Sequence, residues 1–238
     1  MGDEDAQILP REIRVAGAAR DLERLVQLVT AHGIERHLQG AGEALLGILE
    51  DDRSRGQAPA QTLATRLTER SWPGDAELAE LLVELAEGRP SERRRIRADL
   101  DGVADLLEGS FEMGFGGVLD CETGDAWPEA VLDDWADDGH APDPDADPAR
   151  YLFVPNEGSR DAWDDIRDFA NEADDPGIRE RLLDAIDGRG AFSRFKRVLA
   201  DHDDLRARWH AYSAEARVGR ARDWLAGEGY AALPPRPD

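Results

Sequence analysis

The residues with the clearest chemical potential lie in one run, Gly188-Arg189-Gly190-Ala191-Phe192-Ser193-Arg194-Phe195-Lys196-Arg197-Val198-Leu199. The two glycines allow a sharp turn between helices. The helix start that follows turns backbone N–H groups outward, with Arg189 and Arg194 close by, a combination suited to a phosphate or carboxylate. Phe192 and Phe195 share one helix face, and Arg194 and Arg197 share another. One reading is an anion or partner contact made by Arg189, Gly190, Phe192, Arg194, Lys196 and Arg197. The other is a tight helix–helix corner, with both phenylalanines in the core and the arginines paired to carboxylates. Trp209 and Tyr212 further along could stack on bases, or fill a core at helical spacing.

Other reactive side chains converge less. The histidines are His32, His37, His140, His202 and His210, and none sits in a His-Glu-x-x-His pair or beside cysteine in a zinc pattern. His202 and His210 stand two helical turns apart, with Asp201, Asp203 and Asp204 adjoining. That cluster reads as a metal or general-base site, or as a helix connection with capping aspartates. An enzyme site could also draw on Asp120, Glu122, Asp164 or Asp168, if a deep pocket joined them to His202 or His210. Cys121 has no histidine partner in sequence and reads as a buried thiol. Asp143, Asp145 and Asp147 alternate like calcium ligands, but the sixth and twelfth loop positions are Pro148 and Val154 where an EF-hand needs Gly and Glu. A solvated loop is the expectation. Gly114-Phe115-Gly116-Gly117 lacks the Lys-Ser/Thr of a phosphate loop and reads as a strand-entry turn. No metal and no cofactor is expected.

The elements that position these residues follow from periodicity. Residues 1–12 are polar, contain Pro10 and read as loose. Leu22, Leu25, Val26 and Val29 recur at helical spacing before Gly33. Further helices are expected from Ala44 to Leu49, from Thr62 to Arg70, and from an Asp75 N-cap through Leu78, Leu81, Leu82 and Leu85 to Gly88. These form an N-terminal helical bundle over 1–90, bounded by Gly88-Arg89-Pro90. Arg93–Ala98 reads as a short extended segment, and Asp99 caps a helix over Leu100–Glu108. Gly116–Cys121 and Ala126–Val131 are β-like around the turn Glu122–Asp125, with Pro128 marking an edge strand or loop, and Tyr151–Val154 is a third strand. Helices resume near Arg160, after Asp175-Pro176, at Ala191 and from Leu205 to Gly227. The fold class expected is α+β, mainly α-helical, with a small antiparallel β element packed on helices of the second half. The second domain spans 91–232, and 233–238 is a flexible tail.

Charge narrows the partners. The 238 residues carry 52 acidic and 29 basic side chains, a net −23, which disfavours wrapping by nucleic acid. There are 28 Arg and one Lys, which a GC-rich genome gives, and 31 Asp, which a salt-adapted surface shows. Apolar runs are too short for a membrane span, no leader opens the chain, and one cysteine excludes an intrachain disulfide, so a cytoplasmic protein is expected. The charge is uneven: residues 120–150 hold eleven acidic and one basic residue, while 189–222 hold nine basic and four acidic.

The Gly-Arg-Gly-Ala-Phe turn followed by the Arg194-Phe195-Lys196 helix resembles the signature of uncharacterised protein family 0158, a bacterial group without an assigned activity. The Leu119–Gly124 hairpin, Tyr151–Pro155, Trp209–Tyr212 and Ala221–Leu225 fall in the order the resemblance implies, over about 93–230. Ser193 and Arg197 depart from the signature, where Arg and Asp are expected. The resemblance implies no mechanism. The expected function is therefore a non-catalytic cytosolic binding or regulatory module, using the basic–aromatic corner over 188–212 to contact an acidic ligand, an acidic protein or RNA, RNA being disfavoured by net charge. The alternatives are an enzyme with dispersed carboxylates and histidine, or a structural module forming a homodimer.

Overall fold

Leu9, Ile13 and Ala16 repeat every three or four residues, and this stripe lies against the helix that carries Leu45, Leu46 and Leu49. The computed structural model of the chain describes residues 3–30, 33–109, 116–135, 142–158 and 160–235. Residues 3–18 are accordingly helical, α1 (Asp3–Ala18), with Pro10 inside it, rather than loose through residue 12. Burial of one apolar stripe outweighs the loss of one backbone donor.

α2 (Leu22–Val29) is capped by Asp21, whose carboxylate accepts from the Arg24 N–H at 2.9 Å. A 3₁₀ turn (Ile34–Arg36) leads into α3 (Leu38–Asp51). α4 runs over Arg53–Arg70, longer than the Thr62–Arg70 expected: Asp52 caps it through Ser54, and Gly56 lets it close on Leu49. α5 (Asp75–Glu87) starts after Gly74, which holds the N-cap position in the left-handed region, so Asp75 is the first helical residue and its carboxylate points inward. α1 to α5 share one apolar core, from Ile13 to Ala86.

After Gly88 comes β1 (Arg94–Arg97), then α6 (Leu100–Glu108). β2 (Gly116–Asp120) lies between β3 (Ala126–Pro128) and β4 (Tyr151–Pro155), antiparallel to both. The edge position of β3 suits Pro128, which has no N–H to donate. The chain leaves β3 at once into α7 (Glu129–Trp135), where a strand was expected to Val131. The sheet rests on α6, and Leu119 and Val154 meet Ala221 and Leu225 of the last helix in the same cluster.

α8 (Arg160–Asn171), α9 (Pro176–Ile186) and α10 (Ala191–Ala200) form a third cluster around Phe169, Leu182, Phe195 and Leu199. Asp175 caps α9 through Gly177 and Ile178, with Pro176 in its first turn. α11 (Asp203–Gly227) touches α1, α3, α5, α6, α8 and α10. Its buried residues therefore surround it instead of forming one stripe. β5 (Tyr230–Leu233) then pairs with β1 in parallel, Ile96 opposite Ala232. Leu233, expected in a flexible tail, is buried against the first core. The fold is mainly helical α+β with a small antiparallel sheet, and no described helix is long and apolar enough to cross a membrane.

Candidate functional site

Gly188 and Gly190 both sit in the left-handed region, and the chain reverses between α9 and α10 across them. Arg194, on the first turns of α10, reaches back over this reversal. Its guanidinium donates to the carbonyls of Ala185 (2.9 Å), Asp187, Gly188 (3.4 Å) and Arg189. These carbonyls belong to the last turn of α9 and to the turn that follows it, and a cation there also meets the negative end of the helix dipole. Arg194, expected in an anion contact, is thus a cap that holds the corner; with its donors committed to carbonyls it is not available to an external anion.

The two phenylalanines separate. Phe195 is 1% exposed and packs edge-on against Phe169 and Trp209, whereas Phe192 is 36% exposed. Lys196, one turn on from Phe192, and Arg197 are exposed, and Arg189 is exposed on the preceding turn. Among the described residues these three cations make no side-chain ion pair, and Gly190 serves as the left-handed entry to α10.

α11 treats its cations differently. Arg206 pairs with Asp203 (2.6 Å), Arg208 with Asp174 (2.8 Å), Arg217 with Asp105 and Glu108, and Arg220 with Glu108 and Asp165. Trp209 and Tyr212 stack on each other, and Tyr212 meets Trp72 of the N-terminal bundle edge-on at 5.0 Å. The basic excess of 189–222 is thus neutralised along α11 and left open on α10.

Sequence reasoning missed a buried polar network between α3, α4, α5 and α11. Arg70 grips Asp75 with two bonds (2.6 and 2.9 Å) and Glu215 with a third (2.8 Å). Gln39 donates to Asp75 (2.9 Å) and accepts from Arg222 (3.0 Å), which also donates to the Ala232 carbonyl. Burial pushes the Glu215 carboxyl up, against the pull of Arg70 and of two backbone donors. A cleft of about 730 Å³ opens beside this network, lined by α1, α3 and α11 and including His37, Glu43 and His210.

The dispersed carboxylates do not meet there. Asp120 is held by Arg150 at 2.6 Å, with Glu122 beside it, and Asp164 and Asp168 pair with Arg167 on α8. His202 stands at the N-cap position of α11, its Nε2 3.5 Å from Arg181, outside the cleft lining. His32, His140, Gly114 and Phe115 lie outside the described residues. Cys121 is buried, and burial raises its thiol pKa. Asp143 accepts from the Ala146 N–H in a turn of the acidic loop, and among the described residues no group of acidic, His or Cys side chains is arranged to hold a metal.

Residues 138–232 match the Uncharacterised protein family (UPF0158). Over that span the chain is similar to UPF0158 proteins. The match is narrower than the 93–230 resemblance: it takes in β4 and α8 to α11, with the α9–α10 corner at its centre, and leaves out α6 and the β2–β3 hairpin. A UPF0158 protein of Pseudomonas aeruginosa is 30% identical over 91 residues, 36% of this chain and 60% of the relative. The chain therefore spans about three fifths of the length of the curated relative it matches. No solved structure matches.

Proposed function

We propose that the chain is a non-catalytic cytosolic binding module whose α10 face takes an acidic, partly apolar segment of another protein. One observation carries this reading: the fold pairs Arg206, Arg208, Arg217 and Arg220 internally, yet leaves Arg189, Lys196 and Arg197 exposed without ion pairs among the described residues, with the exposed ring of Phe192 one turn from Lys196. In a chain of net −23, carboxylates are abundant and pairing is cheap, so cations left open beside an apolar ring suit an external anion. RNA is the weaker fit, because the rings of Trp209 and Tyr212 are engaged with each other and with Phe169 and Trp72.

The test uses a fluorescein-labelled twelve-residue peptide of alternating Leu and Glu, read by fluorescence anisotropy. The triple variant Arg189→Gln, Lys196→Gln, Arg197→Gln should bind about tenfold more weakly than the native chain, and native binding should weaken from low to high salt. Equal affinity of the two proteins would remove the reading. Light scattering at both salt concentrations separates it from a homodimer in which the same face meets the acidic 120–150 segment of a second copy.

A further inference from the structure

The cleft beside the buried network has a composition of its own. Its walls are apolar: Pro10 and Ile13 from α1, Ala207, Ala211 and Val218 from α11. Its volume, about 730 Å³, falls within the range of small-molecule sites. What distinguishes it is which polar groups remain unmet. Glu43 on α3 touches Arg222 at 3.4 Å through one oxygen, and among the described residues its other oxygen accepts no hydrogen bond. Its side chain is 31% exposed and lines the cleft. The imidazole of His37 lines the same cleft and makes no side-chain hydrogen bond among the described residues. Asp101 of α6 lines the cleft as well.

The cations nearby are mostly committed. Arg222 donates to Gln39 and to the Ala232 carbonyl, Arg20 pairs with Asp51, and Arg206 pairs with Asp203. Glu215 already accepts three bonds. Arg14 of α1 also lines the cleft, exposed and without an ion pair among the described residues, while the unmet groups on α3 and α6 are acceptors.

We propose that this cleft binds a small organic amine, its ammonium group donating to Glu43 and Asp101 and its apolar body lying against Ile13, Ala207, Ala211 and Val218. An ammonium carries three donors and no acceptor, which is the complement of this set. The electrostatics agree. Burial, with the negative charges of Asp101, Glu215 and Asp99, raises the Glu43 carboxyl to about 7 against the pull of Arg222. Burial, with Arg36 and Arg70, lowers His37 to about 4, so its imidazole is a neutral acceptor at neutral pH. Arg14 of α1, whose charge acts on Asp101, and His210 of α11 are the other charged or titratable groups that line the cleft.

Phenethylamine is the probe, 2-phenylethanol its uncharged counterpart, and isothermal titration calorimetry on the full chain the readout. Phenethylamine should bind at least tenfold more tightly than the alcohol. Its affinity should rise about tenfold from pH 6 to pH 8 as Glu43 ionises, and His210→Gln should retain that rise. Glu43→Gln should lose the preference for the amine, and Ala211→Phe should block both probes, with circular dichroism confirming that each variant is folded. Equal affinity for amine and alcohol, a flat pH profile, no binding of phenethylamine, or unchanged binding in folded Glu43→Gln would each overturn the proposal.

Discussion

Glu215 of α11 caps the N-terminus of α3, its carboxylate accepting from the backbone N–H groups of Gln39 at 2.7 Å and Gly40 at 3.1 Å. α3 has no side-chain cap of its own, since His37 occupies the N-cap position without a side-chain hydrogen bond. A helix of the UPF0158 span thus supplies the charge that the start of α3 requires, and Arg70 secures the same carboxylate from the other side. Glu215→Ala should therefore cost about 3–5 kcal/mol in urea unfolding, because it strands two helix donors and leaves Arg70 half paired. Glu215→Gln should fall between it and the native chain. A loss below about 1 kcal/mol in the alanine variant would mean that water replaces the carboxylate.

α11 also meets the turn that enters α5, backbone against backbone. A Cβ on Gly219 of α11 would fall on the carbonyl oxygen of Pro73, and one on Gly74 would fall on the carbonyl of Gly219. Gly219→Ala should destabilise by about 1–3 kcal/mol, although alanine is the better helix former by about 1 kcal/mol. Stabilisation by Gly219→Ala in thermal melts would contradict this close approach.

The corner predicts a split between stability and binding. Arg194→Met removes the cap on α9 and should cost about 1–2 kcal/mol. Lys196→Gln and Arg197→Gln should each change stability by less than about 0.5 kcal/mol while weakening the acidic peptide. Denaturant midpoints and anisotropy on the same three variants check both halves.

His37 and Glu43 give pH dependences of opposite sign. His37 is held neutral in the fold, at about 4 against an ordinary 6.5. Its contribution is present above 6.5 and is lost as pH falls through 6.5 to 4, by up to about 3 kcal/mol. Glu43 favours its protonated form, at about 7 against 4.5, so its contribution is lost as pH rises through 4.5 to 7. His37→Gln should flatten the acid limb of the stability profile, and Glu43→Gln should gain on the native chain between pH 5 and 8.

Much of the fold was legible locally. The Asp175-Pro176 helix start, the turn at Glu122–Asp125 and the edge role of Pro128 all follow from residue chemistry within a few positions. β5 was not, because Tyr230–Leu233 becomes a strand only by pairing with Arg94–Arg97, far away in sequence. The polar network was hidden for the same reason: Asp75 reads locally as an N-cap, no local pattern marks Gln39, Glu215 or Arg222, and only packing brings them together. At the corner, Gly188 and Gly190 announced the reversal, but no local pattern told that Arg194 would turn back onto α9 while Lys196 and Arg197 stayed open.

Charge reversal tests the central claim most directly, that the open cations of α10 recognise an acidic partner. The double variant Lys196→Glu, Arg197→Glu should release the Leu–Glu peptide and acquire affinity for a Leu–Lys peptide of the same length, with its urea midpoint unchanged. A variant that still binds the Leu–Glu peptide as the native chain does would place recognition elsewhere on the molecule.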